Sequence, residues 1–311
     1  MSFLKLRNIK KSYSDQAAFA CTELDIVKGQ KIGIAGETGS GKSTFLKIVS
    51  GLEKPEEGEV LIDGVNVYPK LDRLIPGHPD MAYLSQSFEL PKFIKVIEFL
   101  NASMIAAERL NEIARLCRIT DLLKKDTRAL SGGERQRVAL AKVILKEPNV
   151  LLLDEPFTNL DRHHEQVIKE VINDIGEEMG TTILMVSHDP TDLLPWSDKI
   201  LVLKNGSICQ IGIPQEIYKH PKNTYVAGLF GTYQEIDGAK WMDNEKQQMI
   251  IRPEQFSLNN HGKVGVIKEI LYHGSFELLV VEVDEKRIQA QSLPGVYQVG
   301  DRVGVSLIKP S

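Results

Sequence analysis

Residues 36 to 44 read GETGSGKST. The spacing is G-x-x-x-x-G-K-[ST], and each residue type in it has a use in gripping a polyphosphate. Gly36, Gly39 and Gly41 let the backbone pass close to phosphate oxygens in conformations that other residues avoid. Exposed N–H groups at the start of a helix, helped by its dipole, favour an anion there. Lys42 adds a compact positive charge for the β- and γ-phosphates, and the Ser43 hydroxyl can ligate Mg2+. The whole run is therefore a candidate phosphate loop: Gly36, Glu37, Thr38, Gly39, Ser40, Gly41, Lys42, Ser43 and Thr44.

A second group with chemistry lies in VLLLDEP, residues 150 to 156. Asp154 ends an apolar run that reads as a buried strand. A buried carboxylate without a partner is costly, so a divalent metal at the phosphates is a sensible companion for it. Glu155, the next residue, is placed to take a proton from an attacking water. Three single residues could serve the same centre. Gln86 follows the strand-like MAYLS and could orient water or Mg2+. His188 follows TTILMVS and could touch a γ-phosphate. Tyr13 lies ahead of the KIGIAG strand and could stack on a base. The adjacent pair His163 and His164 would point its rings apart on a helix, which suits a solvated face better than a metal site.

LSGGERQRVALAKVIL, residues 130 to 145, opens a helix with Ser131, Gly132 and Gly133. Ser131 with Glu134 makes the capping box S-x-x-E. That leaves the glycines unexplained, since each costs up to about 1 kcal/mol relative to alanine inside a helix. Bare backbone there suits something that must come close. With no second lysine like Lys42 and no second metal carboxylate beside it, this is half of a site, and half a site implies a partner.

The elements that must hold these residues follow an α/β rhythm up to about residue 231. KIGIAG (31–36) reads as a buried strand, and a helix follows from Lys42 with Phe45, Ile48, Val49 and Leu52 on one face and Gly51 as a stop. GEVLIDGVNV carries an Asp-Gly hairpin signal. Residues 93 to 126 turn helical. NVLLLDEP and TTILMVSHD are apolar throughout, as parallel strands covered on both faces should be. The helix between them groups Val167, Ile168, Val171, Ile172 and Ile175. KILVLKNGSICQIG is a hairpin with Asn205-Gly206 at its tip. Beyond 232 the runs QMIIRPEQFSL, KVGVIKEILYHG, FELLVVEV and DRVGVSLI are short and strand-like, which predicts a small all-β domain joined through GLFGTYQEIDG.

Composition sets the bounds. A chain of 311 residues is comfortable for two domains, and 42% apolar residues suffice for a core. A formal charge of −4 gives no reason to expect nucleic acid as a partner. Cys21, Cys117 and Cys209 are scattered and odd in number, which suits a reducing cytosol. The opening MSFLKLRNIKKSYS has no apolar stretch of signal-peptide length. The apolar runs are strand-sized, so attachment to a membrane would need a partner.

In combination and order these motifs resemble the ATP-binding subunit of an ABC transporter, over roughly residues 1 to 231. The resemblance implies a P-loop NTPase fold of the ABC ATPase type in 1–231, with a helical subdomain at about 88–130, and a small OB-like β domain in 232–311. It implies ATP and Mg2+ as cofactors, Glu155 as catalytic base, His188 as switch histidine, and Gln86 in the glutamine loop. Asp154, Ser43 and Gln86 would attend the metal, and Tyr13 would stack on adenine. Ser131, Gly132, Gly133, Glu134 and Asp161 would complete the site of a second ATPase subunit packed head to tail. The tail, around Ile251, Arg252, Pro253 and Glu254, is similar to that of importer ATPases. Membrane permease subunits and a solute-binding protein are then the expected partners, at the cytoplasmic face of the cell membrane. An exporter ATPase, or a soluble relative acting on nucleic acid or ribosomes, is the alternative. SFELPKFIKVIEFLNAS, which would face the permease, departs from the family pattern, so the cargo is not legible.

Overall fold

A computed structural model describes residues 2–13, 16–68, 77–86, 89–101, 105–241, 248–259 and 261–308. The chain divides into two compact units, residues 1–219 and 220–311.

The first unit opens with two long antiparallel strands, β1 (Ser2–Tyr13) and β2 (Gln16–Val27). Then come β3 (Lys31–Ala35), α1 (Lys42–Val49) and the hairpin of β4 (Glu57–Ile62) with β5 (Val65–Asn66). β6 (Met81–Leu84), α2 (Val96–Asn101), α3 (Ala107–Leu116) and α4 (Gly132–Ile144) lead to β7 (Val150–Asp154). α5 (Arg162–Met179), β8 (Thr182–Val186), β9 (Lys199–Lys204), β10 (Ser207–Gly212) and α6 (Pro214–Lys219) complete it.

Its described strands form one sheet in the order β5-β4-β1-β2-β10-β9-β3-β8-β7-β6. From β9 to β6 every pairing is parallel. Every residue of β7 and β8 is buried, which is what an uninterrupted apolar run in a two-sided parallel sheet requires. α5 lays Ile168, Val171, Ile172 and Ile175 into the core at helical spacing. It is started by the Asp161 cap and stopped by Gly180 in a left-handed conformation at φ 62°.

Several expectations need correction. β1 and β2 went unread, so Tyr13 closes a strand at the sheet's antiparallel end instead of preceding all of them. Leu52 lies beyond α1, which ends at Val49. Among the described residues between 93 and 126 only α2 and α3 are α-helical; Thr120–Leu122 and the Thr127–Ala129 turn after it are single 3₁₀ turns. Residue 88, taken as the start of the helical subdomain, lies outside the described residues. The expected linker GLFGTYQEIDG is structured, and the compact division falls at 219/220, before it.

The second unit explains why. It begins with α7 (Thr224–Leu229), β11 (Gln234–Asp237) and α8 (Gly238–Trp241). β12 (Gln248–Ile251) pairs with β11. Arg252, 2% exposed, donates to the carbonyls of Thr232 (3.2 Å) and Ala227 (3.1 Å) and so ties α7 to this unit. β13 (Phe256–Asn259), β14 (Lys263–Tyr272), β15 (Glu277–Val283), β16 (Lys286–Ser292) and β17 (Arg302–Leu307) form an antiparallel sheet in the order β13-β17-β14-β15-β16. Ile267, Leu279, Val281, Ile288 and Val305 make its core.

Ile172 is fully buried where α5 meets the sheet. Ile172→Ala should destabilise the first unit by about 2–5 kcal/mol through the cavity it leaves. Urea unfolding read by Trp196 in a Trp241→Phe background checks this, and a loss below about 1 kcal/mol would contradict the packing described.

Candidate functional site

Parallel strands present their C-terminal ends along one edge of a sheet, and ligands of open α/β sheets collect at that edge. Here β3, β8, β7 and β6 end at Ala35, Val186, Asp154 and Leu84. The residues that follow them are the phosphate loop, His188, Glu155 and Gln86. Four separated stretches of sequence are thus brought to one edge. β8 lies between β3 and β7, so the phosphate loop and Asp154 come from strands separated by one other.

The loop from Gly36 to Gly41 is shaped by close backbone approaches. Gly41 has φ 99°, and a Cβ there would lie 2.5 Å from the Ala18 carbonyl oxygen. Gly36 has φ 151°, and its Cβ would lie 2.5 Å from both the Leu203 carbonyl oxygen and Ser40 Oγ. Only glycine fits either position. Ser40 is buried, and its carbonyl accepts from Gly206 N at 3.0 Å, so the β9–β10 hairpin tip braces the loop. Lys42 Nζ donates to the carbonyls of Gly36 (2.7 Å) and Glu37 (2.8 Å), curling back over the loop. Burial pulls the Lys42 pKa down, against the pull of Glu155, Asp154 and Glu37. An arriving phosphate would favour the charged amine.

Asp154, 6% exposed, has a partner on each oxygen. Ser43 Oγ donates to Oδ1 at 3.2 Å and the Tyr83 hydroxyl to Oδ2 at 2.8 Å. Burial, then the Asp154 charge, raises the Tyr83 pKa, so this phenol keeps its proton and remains a donor. A hydroxyl beside a carboxylate is a fitting oxygen pair for a hard cation such as Mg2+. Among the described residues no three His, Cys, Asp or Glu side chains converge to hold a metal. Phosphate oxygens and water are fitting further ligands beside Asp154 and Ser43.

Glu155 takes the left-handed conformation at φ 52°, a strained choice for a non-glycine residue that commonly accompanies function. Its Oε2 accepts from Gln86 Nε2 (2.9 Å) and Thr158 Oγ1 (3.1 Å). Its own N–H donates to the Val186 carbonyl at 3.1 Å, anchoring the turn to the end of β8. Gln86 thus hydrogen-bonds the Glu155 carboxylate.

Tyr13, Thr38, Gly39, Gly41, Lys42, Ser43, Thr44, Gln86 and Glu155 line one cleft of about 440 Å³. The exposed Tyr13 ring donates its hydroxyl to Glu53 and carries Lys11 Nζ 5.5 Å from its centroid. A larger cleft of about 740 Å³, against β1, β2 and β10, holds none of these residues. His188 is exposed after β8 and is not part of the Tyr13–Glu155 cleft.

Gly132 lines, with Gln86 and Thr158, a neighbouring cleft of about 650 Å³. None of Ser131, Gly132, Gly133, Glu134 or Asp161 lines the cleft of the phosphate loop. The capping box is formed: Ser131 N donates to Glu134 Oε2 (2.7 Å), and Glu134 N to Ser131 Oγ (3.2 Å). The Ser131 N–H, with Lys125 also bonded to the carboxylate, holds the Glu134 pKa below its ordinary value. The two glycines have different reasons. Gly132 is exposed and has room for a Cβ, whereas a Cβ on the buried Gly133 would lie 2.5 Å from His164 Cδ2. His164 is half-exposed, with one side of its ring against Gly133 and its Nδ1 2.7 Å from Asp161 Oδ2, while His163 stays exposed, as a solvated face requires.

Tyr83, Thr158 and the buried Gln136 were not foreseen; Gln136 donates to the Pro156 carbonyl and ties α4 to the turn after Glu155. A lone tyrosine in the apolar MAYL was the available sign for the first. Nothing in the sequence marked the other two.

Phosphate loop, paired Asp154 and strained Glu155 at one sheet edge define a P-loop nucleotide-binding cassette. Residues 20–158 match the ABC transporter family and residues 249–309 the TOBE domain. PotA of Mesoplasma florum, a spermidine/putrescine import ATP-binding protein, is 31% identical over 98% of this chain and 95% of its own length. YurJ of Bacillus subtilis, an uncharacterized ABC transporter ATP-binding protein, is 37% identical over 75% of the chain, which spans 64% of YurJ. Among solved structures, cbiO1 of Clostridium perfringens, part of an ABC transporter complex, superposes with a TM-score of 0.63 at 28% identity, covering 71% of this chain and 92% of its own. The chain belongs to the family of ABC transporter ATP-binding proteins and carries a C-terminal TOBE domain.

Gly41→Ala should weaken ATP binding by about tenfold or more, since ~1–3 kcal/mol of backbone strain is forced on the loop. Calorimetry on the full chain checks this; unchanged affinity would separate the loop's shape from its binding.

Proposed function

We propose that this chain binds ATP with Mg2+ between Tyr13 and the loop 36–44 and hydrolyses it with Glu155 as base. It does so as one of two identical subunits packed head to tail. Lys42 and the loop N–H groups would hold the phosphates, and Ser43 with Asp154 would hold the metal, which when bound supplies charge neutralisation at the β- and γ-phosphates. Glu155 would take the proton from water, with Gln86 and Thr158 orienting its carboxylate and His188 approaching from the end of β8. Tyr13 would stack on the base. Closure and release of the dimer would drive solute import through a membrane permease at the cytoplasmic face, with a solute-binding protein delivering the cargo.

One observation carries this reading: the exposed Ser131 and Gly132, with Asp161 brought near them through His164, do not line the cleft of their own phosphate loop. Each incomplete face is met if a second copy supplies the other in an isologous pair. MJ0796, a cassette 28% identical over 68% of this chain at a TM-score of 0.59, has been solved as a dimer, which supports the pairing. Import is supported by PotA and by FbpC of Vibrio cholerae, an Fe(3+) ions import ATP-binding protein 30% identical over 93% of this chain. Among the described residues no helix is long and apolar enough to cross a membrane, so the work would reach the bilayer through the permease.

Glu155→Gln should lower kcat by about a hundredfold or more, the scale of a lost general base, while ATP stays bound. Near-normal turnover would remove Glu155 from the reaction. In that background Ser131→Arg should leave ATP binding to the monomer intact and abolish the ATP-dependent dimer in gel filtration; a persisting dimer would refute the trans assignment.

A further inference from the structure

Lys169 sits on α5 two turns beyond the Asp161 cap, outside the nucleotide cleft, yet its ammonium group reaches toward two of the site's loops. Nζ donates to Asp192 Oδ1 at 2.8 Å and to Glu165, one turn back on the same helix. Asp192 lies in the turn after β8, and its Oδ2 accepts from Ser187 Oγ at 3.4 Å. Ser187 is 1% exposed, immediately precedes His188, and its Oγ accepts from Asp189 N at 3.2 Å. The same ammonium lies 5.2 Å from the centroid of Phe157, a ring 2% exposed and two residues after Glu155. Side-chain exposures of 26% for Lys169, 24% for Glu165 and 17% for Asp192 make this a half-buried triad and not a surface pair.

The charges explain why one residue can matter. Two carboxylates share one cation in a poorly hydrated place, so removing the cation leaves like charges facing each other. The turn of residues 187–192 would then shift, and His188 with it. The face of Phe157 would lose its cation at the same time.

We infer that Lys169 is a positioning residue for ATP hydrolysis, fixing the His188 turn and the Phe157 turn after Glu155 to α5. It touches no reacting atom. The inference rests on the catalytic roles proposed above for Glu155 and His188.

The test uses the full chain and its steady-state ATPase. Lys169→Met should lower kcat by about tenfold, the kind of loss a small misplacement of catalytic groups brings, with KM for ATP unchanged within about twofold. Lys169→Arg should restore kcat to within about threefold, since charge and reach are kept. Asp192→Asn should mimic Lys169→Met, and the double variant should be no worse than the poorer single one, because both cut the same link. A kcat within twofold of wild type, failure of Lys169→Arg to rescue, or additive losses would each overturn the inference. Should Lys169→Met not fold, the isosteric Asp192→Asn decides alone: it must lower kcat and spare KM. If Glu155→Gln turned over normally, the catalytic reading would fall instead, so the two failures are distinguishable.

Discussion

A carboxylate buried at the end of a strand is costly unless its oxygens find partners, and in this chain Asp154 is that carboxylate. Ser43 comes to it from the first turn of α1 and Tyr83 from β6, so three elements far apart in sequence converge on one pair of oxygens. The pairing works only if β3, β8, β7 and β6 end together, which their parallel register ensures. Glu155 then inherits its place. It is one residue further on, bent left-handed, with its N–H on the end of β8 and its side chain under Gln86 and Thr158.

The surrounding scaffold holds those loops by backbone contact more than by side chains. The hairpin tip at Gly206 donates into the phosphate loop at Ser40 and accepts from β2 at Ala20. The antiparallel strands that the sequence reading passed over are therefore part of the nucleotide cleft: they bring Ala18 against Gly41 and place Tyr13 at its mouth. On the other side Gln136 links α4 to Pro156. Under the proposed pairing of two subunits each half would have to be rigid by itself, and these contacts would serve that.

What could be read in advance was what carries a period or a fixed spacing. The phosphate loop, the two all-apolar strands, the α5 stripe, the capping box and both Asn/Asp-Gly hairpins all depend on local rules, and they appear where those rules put them. β1 and β2 escaped because their apolar residues, Phe3, Leu4, Leu6 and Ile9, do not alternate cleanly, and the pairing itself carries register shifts. GLFGTYQEIDG read as a linker because its structure comes from outside it, through Arg252 and pairing with β12. The partners of Glu155 could not be read at all, because a hydrogen bond between Thr158 and a carboxylate depends on where the turn folds and not on either residue's type.

Gly132 and Gly133 separate two causes that one sentence of sequence ran together. Glycine in a first helical turn was explained by the need for something to approach. For Gly133 that something is internal: the His164 ring fills the space a side chain would take, and the same ring reaches Asp161. This glycine would be needed in a monomer that never met a partner. Gly132 has no such neighbour, and its exposed position has room for a methyl group that packing within the chain would tolerate. Its helix-propensity cost is therefore unexplained by the fold of one subunit, and the case for an approaching phosphate rests on Gly132 and Ser131 alone. His164, meanwhile, joins the cap of α5 to the start of α4, so the two elements that the proposed pairing would offer to a second subunit are in direct contact.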